Sequence, residues 1–228
     1  MARQEFKVTD EPFLDPGYSP SNPNIDFVFV HGLNPRGRRN HAYETWTYAE
    51  GRAPWPYELL PQDFPNARIW IFGYNSNVTS GGSGANISDH ANSLLNVLQR
   101  MREESPEDPS RIPIIFLGHS LGGLVIKQAL LNAKENPRFN PTWDASFGLV
   151  FFGTPHRGGN TGALEELAVR LAKTFATDTM DNDLMMCLKP NSLFTLEAAA
   201  RFSRQLNKFK ILTFFETRPT NFYGLSKI

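Results

Sequence analysis

Residues 112–130 read IPIIFLGHSLGGLVIKQAL, and the reading of this stretch decides the fold. An apolar run over 112–117 ends in Gly118-His119-Ser120-Leu121-Gly122, and a second apolar stretch follows with no gap. Gly-x-Ser-x-Gly between a strand and a helix is the pattern of a nucleophile elbow. The two glycines remove side chains where strand and helix crowd each other. The sharp turn lifts the serine hydroxyl above the sheet edge. The context therefore predicts a strand up to His119, a strained turn at Ser120 and a helix over 121–134, stopped by Pro137.

Four more short runs have the same character: IDFVFVHG (25–32), ARIWIFGYN (67–75), FGLVFFGTP (147–155) and KILTFFET (210–217). Each is apolar almost throughout rather than alternating. Strands read this way when both faces are covered, as in a parallel sheet flanked by helices. Helical patterns fill the gaps. SDHANSLLNVLQRM places Ser88 as an N-cap before a stripe of Ala91, Leu94, Leu95, Leu98 and Met101. Segments 161–176 and 192–206 also read as amphipathic helices. Strand and helix alternate, which predicts a doubly wound α/β sheet. Two loops are singled out. Residues 75–86 are rich in Gly and Ser and read as a lid or as a plain linker, and they lack the Gly-Lys-Ser/Thr of a phosphate loop. Residues 34–44 carry three arginines and read as a solvated surface or as a contact for anionic headgroups.

The chain has 228 residues, enough for one domain with a substantial core. Lys plus Arg and Asp plus Glu each number 23. That balance argues against a nucleic-acid binder, which carries a basic excess. The single cysteine, Cys187, forms no internal disulfide and belongs to no zinc spacing. It reads as a packed hydrophobe in a reducing, intracellular and cytoplasmic setting. No metal and no cofactor is expected. Residues 1–20 show no signal-peptide pattern, and no stretch reaches the roughly 18 apolar residues of a membrane span.

A serine nucleophile needs donors for the oxyanion that forms on attack. One is the backbone N–H after the serine, that of Leu121; the other comes from a loop after an earlier strand. FVFVHGLN places His31-Gly32 at such a strand end, so the second donor is expected to be the N–H of Leu33. Gly32 lets the loop pass close to the site. His31 reads as an orienting residue rather than a base.

Taken together, VFVHGLN, TWT, WPYELLPQDFPNARIWIFGYN, ISDHANSLL, IIFLGHSLGGLVIKQAL and GLVFFGTPHRG resemble the lipase-like serine esterases related to the serine-active-site-containing protein. The resemblance runs from about residue 25 to about residue 217, in the same order. Similar domains occur at the N-termini of fungal NACHT and NB-ARC receptors. The resemblance implies an α/β-hydrolase fold, with a mostly parallel sheet and helices on both faces. It implies a Ser-His-acid triad and a small-molecule ester or lipid substrate, phospholipids included. It also implies peripheral contact with mitochondrial or endoplasmic-reticulum membranes in some members. On this reading residues 1–24 form an irregular, Pro-rich segment. Residues 25–228 form the hydrolase domain, truncated at its C-terminal end relative to the family, without the last strand and the histidine loop.

In this fold the triad runs serine, acid, histidine along the chain. The histidines are His31, His41, His90, His119 and His156, so none follows residue 156. His119 lies inside the elbow, where the neighbouring hydroxyl points away from it. His90 reads as packing and His41 as surface. His156, in GTPHRG past a strand's carboxyl end, reads as pocket wall or as a substitute base. Glu216 closes the last strand and reads as the acid or as a partner of Arg218. Segment 157–209 reads as a cap over an acyl pocket, lined by Phe175, Leu193, Phe194 and Leu196, or as ordinary packing helices. Two functions follow: a serine hydrolase (or acyltransferase) weakened by its missing base, or a hydrolase-like signalling or interaction domain.

Overall fold

The structure is a computed structural model, and it describes residues 11–34, 38, 40–49, 52–77, 85–154 and 193–215. In chain order the elements are β1 (Phe13–Tyr18), β2 (Ile25–Val30), α1 (His41–Glu44), α2 (Trp55–Asp63), β3 (Ala67–Gly73), α3 (Ile87–Glu103) and β4 (Ile114–His119). There follow α4 (Leu121–Glu135), α5 (Asn140–Ala145), β5 (Ser146–Phe152), α6 (Leu193–Ser203) and β6 (Lys210–Phe214). All five apolar runs are strands. Among the described residues they and β1 form one six-stranded sheet with the order β1-β3-β2-β4-β5-β6. The pairs β2–β3, β2–β4, β4–β5 and β5–β6 are parallel.

Burial explains why the runs do not alternate. Every residue of β3 is buried, and so are the last five of β2. One face carries Val28, Val30, Phe72 and Phe116 against Leu94, Leu95 and Leu98 of α3 and Val125 and Ala129 of α4. The other carries Phe27, Phe29, Ile69 and Ile71 against Tyr43 of α1, with Trp46, Trp55 and Leu60. With both faces covered, apolar residues are favoured at every position. Helix α3 starts two residues earlier than its pattern suggests. Asn86, not Ser88, is the cap: its Oδ1 accepts the N–H of Ser88 (2.8 Å) and of Asp89 (3.1 Å), and Asp89 Oδ2 accepts the Asn86 N–H (2.9 Å).

The segment 1–24 is not irregular throughout. Phe13–Tyr18 pairs antiparallel with β3, from Phe13 opposite Gly73 to Tyr18 opposite Ile69, with a register shift between Pro16 and Tyr18. An edge strand leaves one row of N–H groups unpaired, so it tolerates Pro16, and a bulge absorbs Gly17. Pro and Gly erase the strand signal in the sequence while the edge position permits the strand.

The chain leaves β2 for β3 on one side and then returns past β2 to β4 on the other. The carboxyl ends of β2 and β4 therefore flank a topological switch point, where α/β sheets form their crevices. A mostly parallel sheet, helices on both faces and a serine turn after β4 make this an α/β-hydrolase fold. The expected absence of a last strand and histidine loop concerns residues past Phe215, outside the described residues.

The opposite, amino edge of the sheet holds a buried charge cluster that no sequence pattern announces. Asp26, Arg68 and Arg102 are all buried. Arg68 donates twice to Asp26, Nε to Oδ1 at 2.7 Å and Nη2 to Oδ2 at 3.0 Å. Trp70 Nε1 donates to the same Oδ1 at 3.0 Å, Arg102 Nη1 donates to Oδ2, and Arg102 Nη2 reaches the Ile112 carbonyl at 2.9 Å. One carboxylate thus ties together the starts of β2 and β3, the end of α3 and the approach to β4. Asp26→Ala leaves Arg102 buried without its anion and Arg68 with only Glu107 at 3.6 Å, and is expected to cost about 3–5 kcal/mol. Urea unfolding at pH 7 measures this; a loss under about 1 kcal/mol would contradict the assigned role.

Candidate active site

Ser120 lies between the last residue of β4 and the first of α4, with φ 51° and ψ −120°. It is the only non-glycine residue with positive φ among the described residues. Such a backbone costs of order 1–3 kcal/mol and persists only where the surroundings impose it. Here they do. The Ser120 N–H donates to the Phe152 carbonyl at 2.9 Å, and the Ser120 carbonyl accepts the Gly123 N–H at 3.1 Å. A Cβ on Gly122 would stand 2.2 Å from the Val30 oxygen and 2.4 Å from the His31 oxygen. The first turn of α4 is thus pressed onto the end of β2. Gly118 faces Gly123 across the same elbow, and the Thr154 hydroxyl lies 3.4 Å from the Gly118 carbonyl. Ser120 itself is partly exposed, at the carboxyl edge of the sheet.

The loop after β2 also comes close to the serine turn. A Cβ on Gly32 would stand 3.0 Å from Ser120 Cβ and 3.1 Å from both His119 Nδ1 and the His119 carbonyl oxygen. Leu33, next in the chain, is buried. Its N–H donates to no backbone carbonyl among the described residues. Leu121 opens α4, and an N–H in the first turn of a helix has no acceptor within that helix. Leu121 thus follows Ser120 directly, and Leu33 follows the glycine that approaches it.

His31 is buried, with both ring nitrogens engaged. Nδ1 lies 2.8 Å from the Gly32 carbonyl, and Nε2 faces the Tyr74 N–H at 3.3 Å. This pairing makes Nδ1 the protonated nitrogen. The Tyr74 ring stacks on the imidazole at 4.3 Å, and its hydroxyl donates to the His31 carbonyl at 3.0 Å. Burial, reinforced by His41, holds the imidazole well below its ordinary pKa. His31 is neutral, orients its loop and has no nitrogen left for Ser120.

His41 is half-buried rather than freely exposed. Its ring packs edge-on against His31 at 5.2 Å, and burial pushes its pKa down to about 4 against the opposing pull of Glu44. His90 is buried on α3 against the Tyr74 ring at 4.6 Å, and burial takes it to about 4 as well. Its Nε2 has no hydrogen-bond partner among the described residues. His119 faces Trp46 at 6.4 Å and is also lowered by burial. His156 and Glu216 lie outside the described residues, as do Cys187, Arg218, segment 155–192 and the side chains of Leu193, Phe194 and Leu196. No group of three or more His, Cys, Asp or Glu side chains suited to a metal ion occurs among the described residues.

The sequence gives no hint of Ser76. It is fully buried in the loop after β3, and its Oγ donates to the Gly32 carbonyl at 2.9 Å. Within a Gly- and Ser-rich stretch nothing distinguishes it.

The histidines give this site a pH dependence with a definite sign. Folding lowers the pKa of His41 and His90 from 6.5 to about 4. Between those values the unfolded chain binds more protons, so stability rises with pH there. The stabilisation is fully present above pH 6.5 and is lost as pH falls toward 4. Urea midpoints are expected to be clearly lower at pH 5 than at pH 7; equal midpoints would contradict the burial of neutral imidazoles.

Residues 22–218 match the family model described as "Putative serine esterase (DUF676)". Protein SERAC1 of Bos taurus is 25% identical over 242 residues, covering 94% of this chain and 34% of that protein. Protein SERAC1 of Danio rerio is 26% identical over 219 residues, covering 89% of this chain and 32% of that protein. The chain spans about a third of the length of the curated relatives it matches. Among solved structures, a lipase-esterase related protein from Clostridium acetobutylicum ATCC 824 aligns with TM-score 0.44 and 13% identity over 90% of each chain. A monoacylglycerol lipase from Paleococcus ferrophilus aligns with TM-score 0.41 and 16% identity, over 92% of this chain and 89% of that one. The family model takes in the sheet from β2 to β6, the serine turn and the His-Gly loop, and by that match the chain belongs to this serine esterase family.

Proposed function

We propose that this protein is a serine hydrolase of carboxylic esters, of the lipid or phospholipid class, with Ser120 as nucleophile. The observation that carries the reading is the backbone of Ser120, a non-glycine residue held at φ 51° at the switch point of the sheet. Strain of this kind is retained where a side chain must be presented. Family membership and the proximity of Gly32 to Ser120 support the same reading.

In this mechanism Ser120 Oγ forms a bond to the acyl carbon as its proton passes to an imidazole. The carbonyl oxygen becomes an oxyanion held by the N–H groups of Leu33 and Leu121. Collapse of the tetrahedral species breaks the bond to the alcohol, which leaves with the proton. Water then attacks the acyl-enzyme by the same route in reverse and frees the acid. His31 is excluded as the base by its two engaged nitrogens. Glu216 is the candidate acid, and His156 stands only as a substitute base, since it precedes Glu216 and so departs from the serine-acid-histidine order of the fold. No helix among the described residues is long and apolar enough to cross a membrane. A lipid substrate would then be met at a membrane surface, by peripheral contact.

A second reading, a hydrolase-like interaction domain without catalysis, is favoured by one observation. Burial weakens all four described histidines as proton acceptors, and His31 is fully engaged. The two readings separate in one assay. Short p-nitrophenyl esters are turned over by wild type, and Ser120→Ala is expected to lose at least about 10³-fold in kcat/KM with its fold intact by circular dichroism. Turnover equal in the two proteins, or absent from both, would favour the interaction domain.

A further inference from the structure

We infer that Ser76 is a positioning residue for the oxyanion hole, pinning both peptide planes of Leu33 at once. This rests on the serine hydrolase reading given above. The loop after β3 lies beside the loop after β2, and Ser76 is the point where they lock. Its Oγ–H donates to the Gly32 carbonyl at 2.9 Å, and its own carbonyl accepts the Asn34 N–H at 3.1 Å. An isolated bridge pairs Asn34 with Asn77 and extends the contact by one residue.

The consequence follows from peptide geometry. A trans peptide is planar, and its C=O and N–H point in opposite directions. The Gly32 carbonyl and the Leu33 N–H belong to one such plane. Ser76 holds the oxygen of that plane from one side, and His31 Nδ1 holds the same oxygen at 2.8 Å. The direction of the Leu33 N–H is thereby set. The next plane, which joins Leu33 to Asn34, is held at its N–H by the Ser76 carbonyl. Leu33 has no rotation left that would turn its N–H away from Ser120. Because Ser76 is fully buried, the hydroxyl that holds Gly32 does not exchange this bond for one to bulk water. Ser76 touches no reacting atom; it acts through Leu33.

A donor aimed in advance accelerates the step in which charge develops and leaves ground-state binding alone. The test uses steady-state kinetics on a p-nitrophenyl ester, with Ser76→Ala and Ser76→Cys beside wild type. Folding is checked by circular dichroism and the assay is run well below the unfolding midpoint. Ser76→Ala is expected to lose about 10–100-fold in kcat with KM within about twofold of wild type. Ser76→Cys, close in volume and a weaker donor, is expected to fall between the two. The second-order rate of phosphonylation by a fluorophosphonate is expected to drop in step with kcat. A packing role alone would lower stability and leave kcat of the folded fraction unchanged. Wild-type kcat in whichever variant folds overturns the inference while leaving the hydrolase reading intact. A wild type that neither turns over ester nor reacts with fluorophosphonate overturns that reading, and this inference with it.

Discussion

The first turn of α4 lies so close to the end of β2 that no side chain fits between them. The space a Cβ would take at Gly122 is filled by the carbonyl oxygens of Val30 and His31. Most of the site's geometry follows from this approach. It brings the helix start over the switch point, forces the preceding residue through a positive φ, and sets Ser120 beside Gly32. The strain is held by packing further along the helix. Leu121, Val125, Ile126 and Leu130 are fully buried against the sheet. Each such side chain contributes about 1.5–3 kcal/mol on burial, which outweighs the few kcal/mol of strain at one residue.

The two edges of the sheet are electrostatically unlike. At the amino edge, one buried carboxylate holds two buried guanidinium groups, and the cluster locks the strand starts and the end of α3. At the carboxyl edge, the ring groups described around Ser120 are imidazoles. His31, His41 and His119 are all pushed toward the uncharged form, by burial first. On the proposed mechanism, a negative charge that develops on an oxygen there would meet the amide dipoles of Leu33 and Leu121. Such dipoles act strongly in water-poor surroundings and need no reorganisation during the reaction.

Much of the fold was legible in the sequence because its signals are local. Five strands announce themselves as unbroken apolar runs, four of them largely buried and β6 largely exposed, and the elbow as a glycine-serine pattern between a strand and a helix. Four features were not legible, each for a physical reason. β1 carries Pro16 and Gly17, which an edge strand accepts but which no strand pattern predicts. Asp26 and Arg68 sit inside runs that read as apolar, and their partnership spans 42 positions. Ser76 looks like any serine in a loop rich in small residues; its role arises from a contact with Gly32 44 positions away. His41 was read as surface because its neighbours are polar, yet the fold turns its ring onto His31. Pairings between distant residues leave no periodic trace, and the site is made chiefly of such pairings.

The central claim is that Ser120 presents its hydroxyl to an acyl carbon while the Leu33 and Leu121 amides face the oxygen. A crystal structure of the protein after reaction with an alkyl fluorophosphonate tests this most directly, since the adduct mimics the tetrahedral intermediate. The account predicts a covalent bond from Ser120 Oγ to phosphorus, with the phosphoryl oxygen within about 3 Å of both N–H groups. An adduct on another residue, or a phosphoryl oxygen turned away from those two amides, would contradict it.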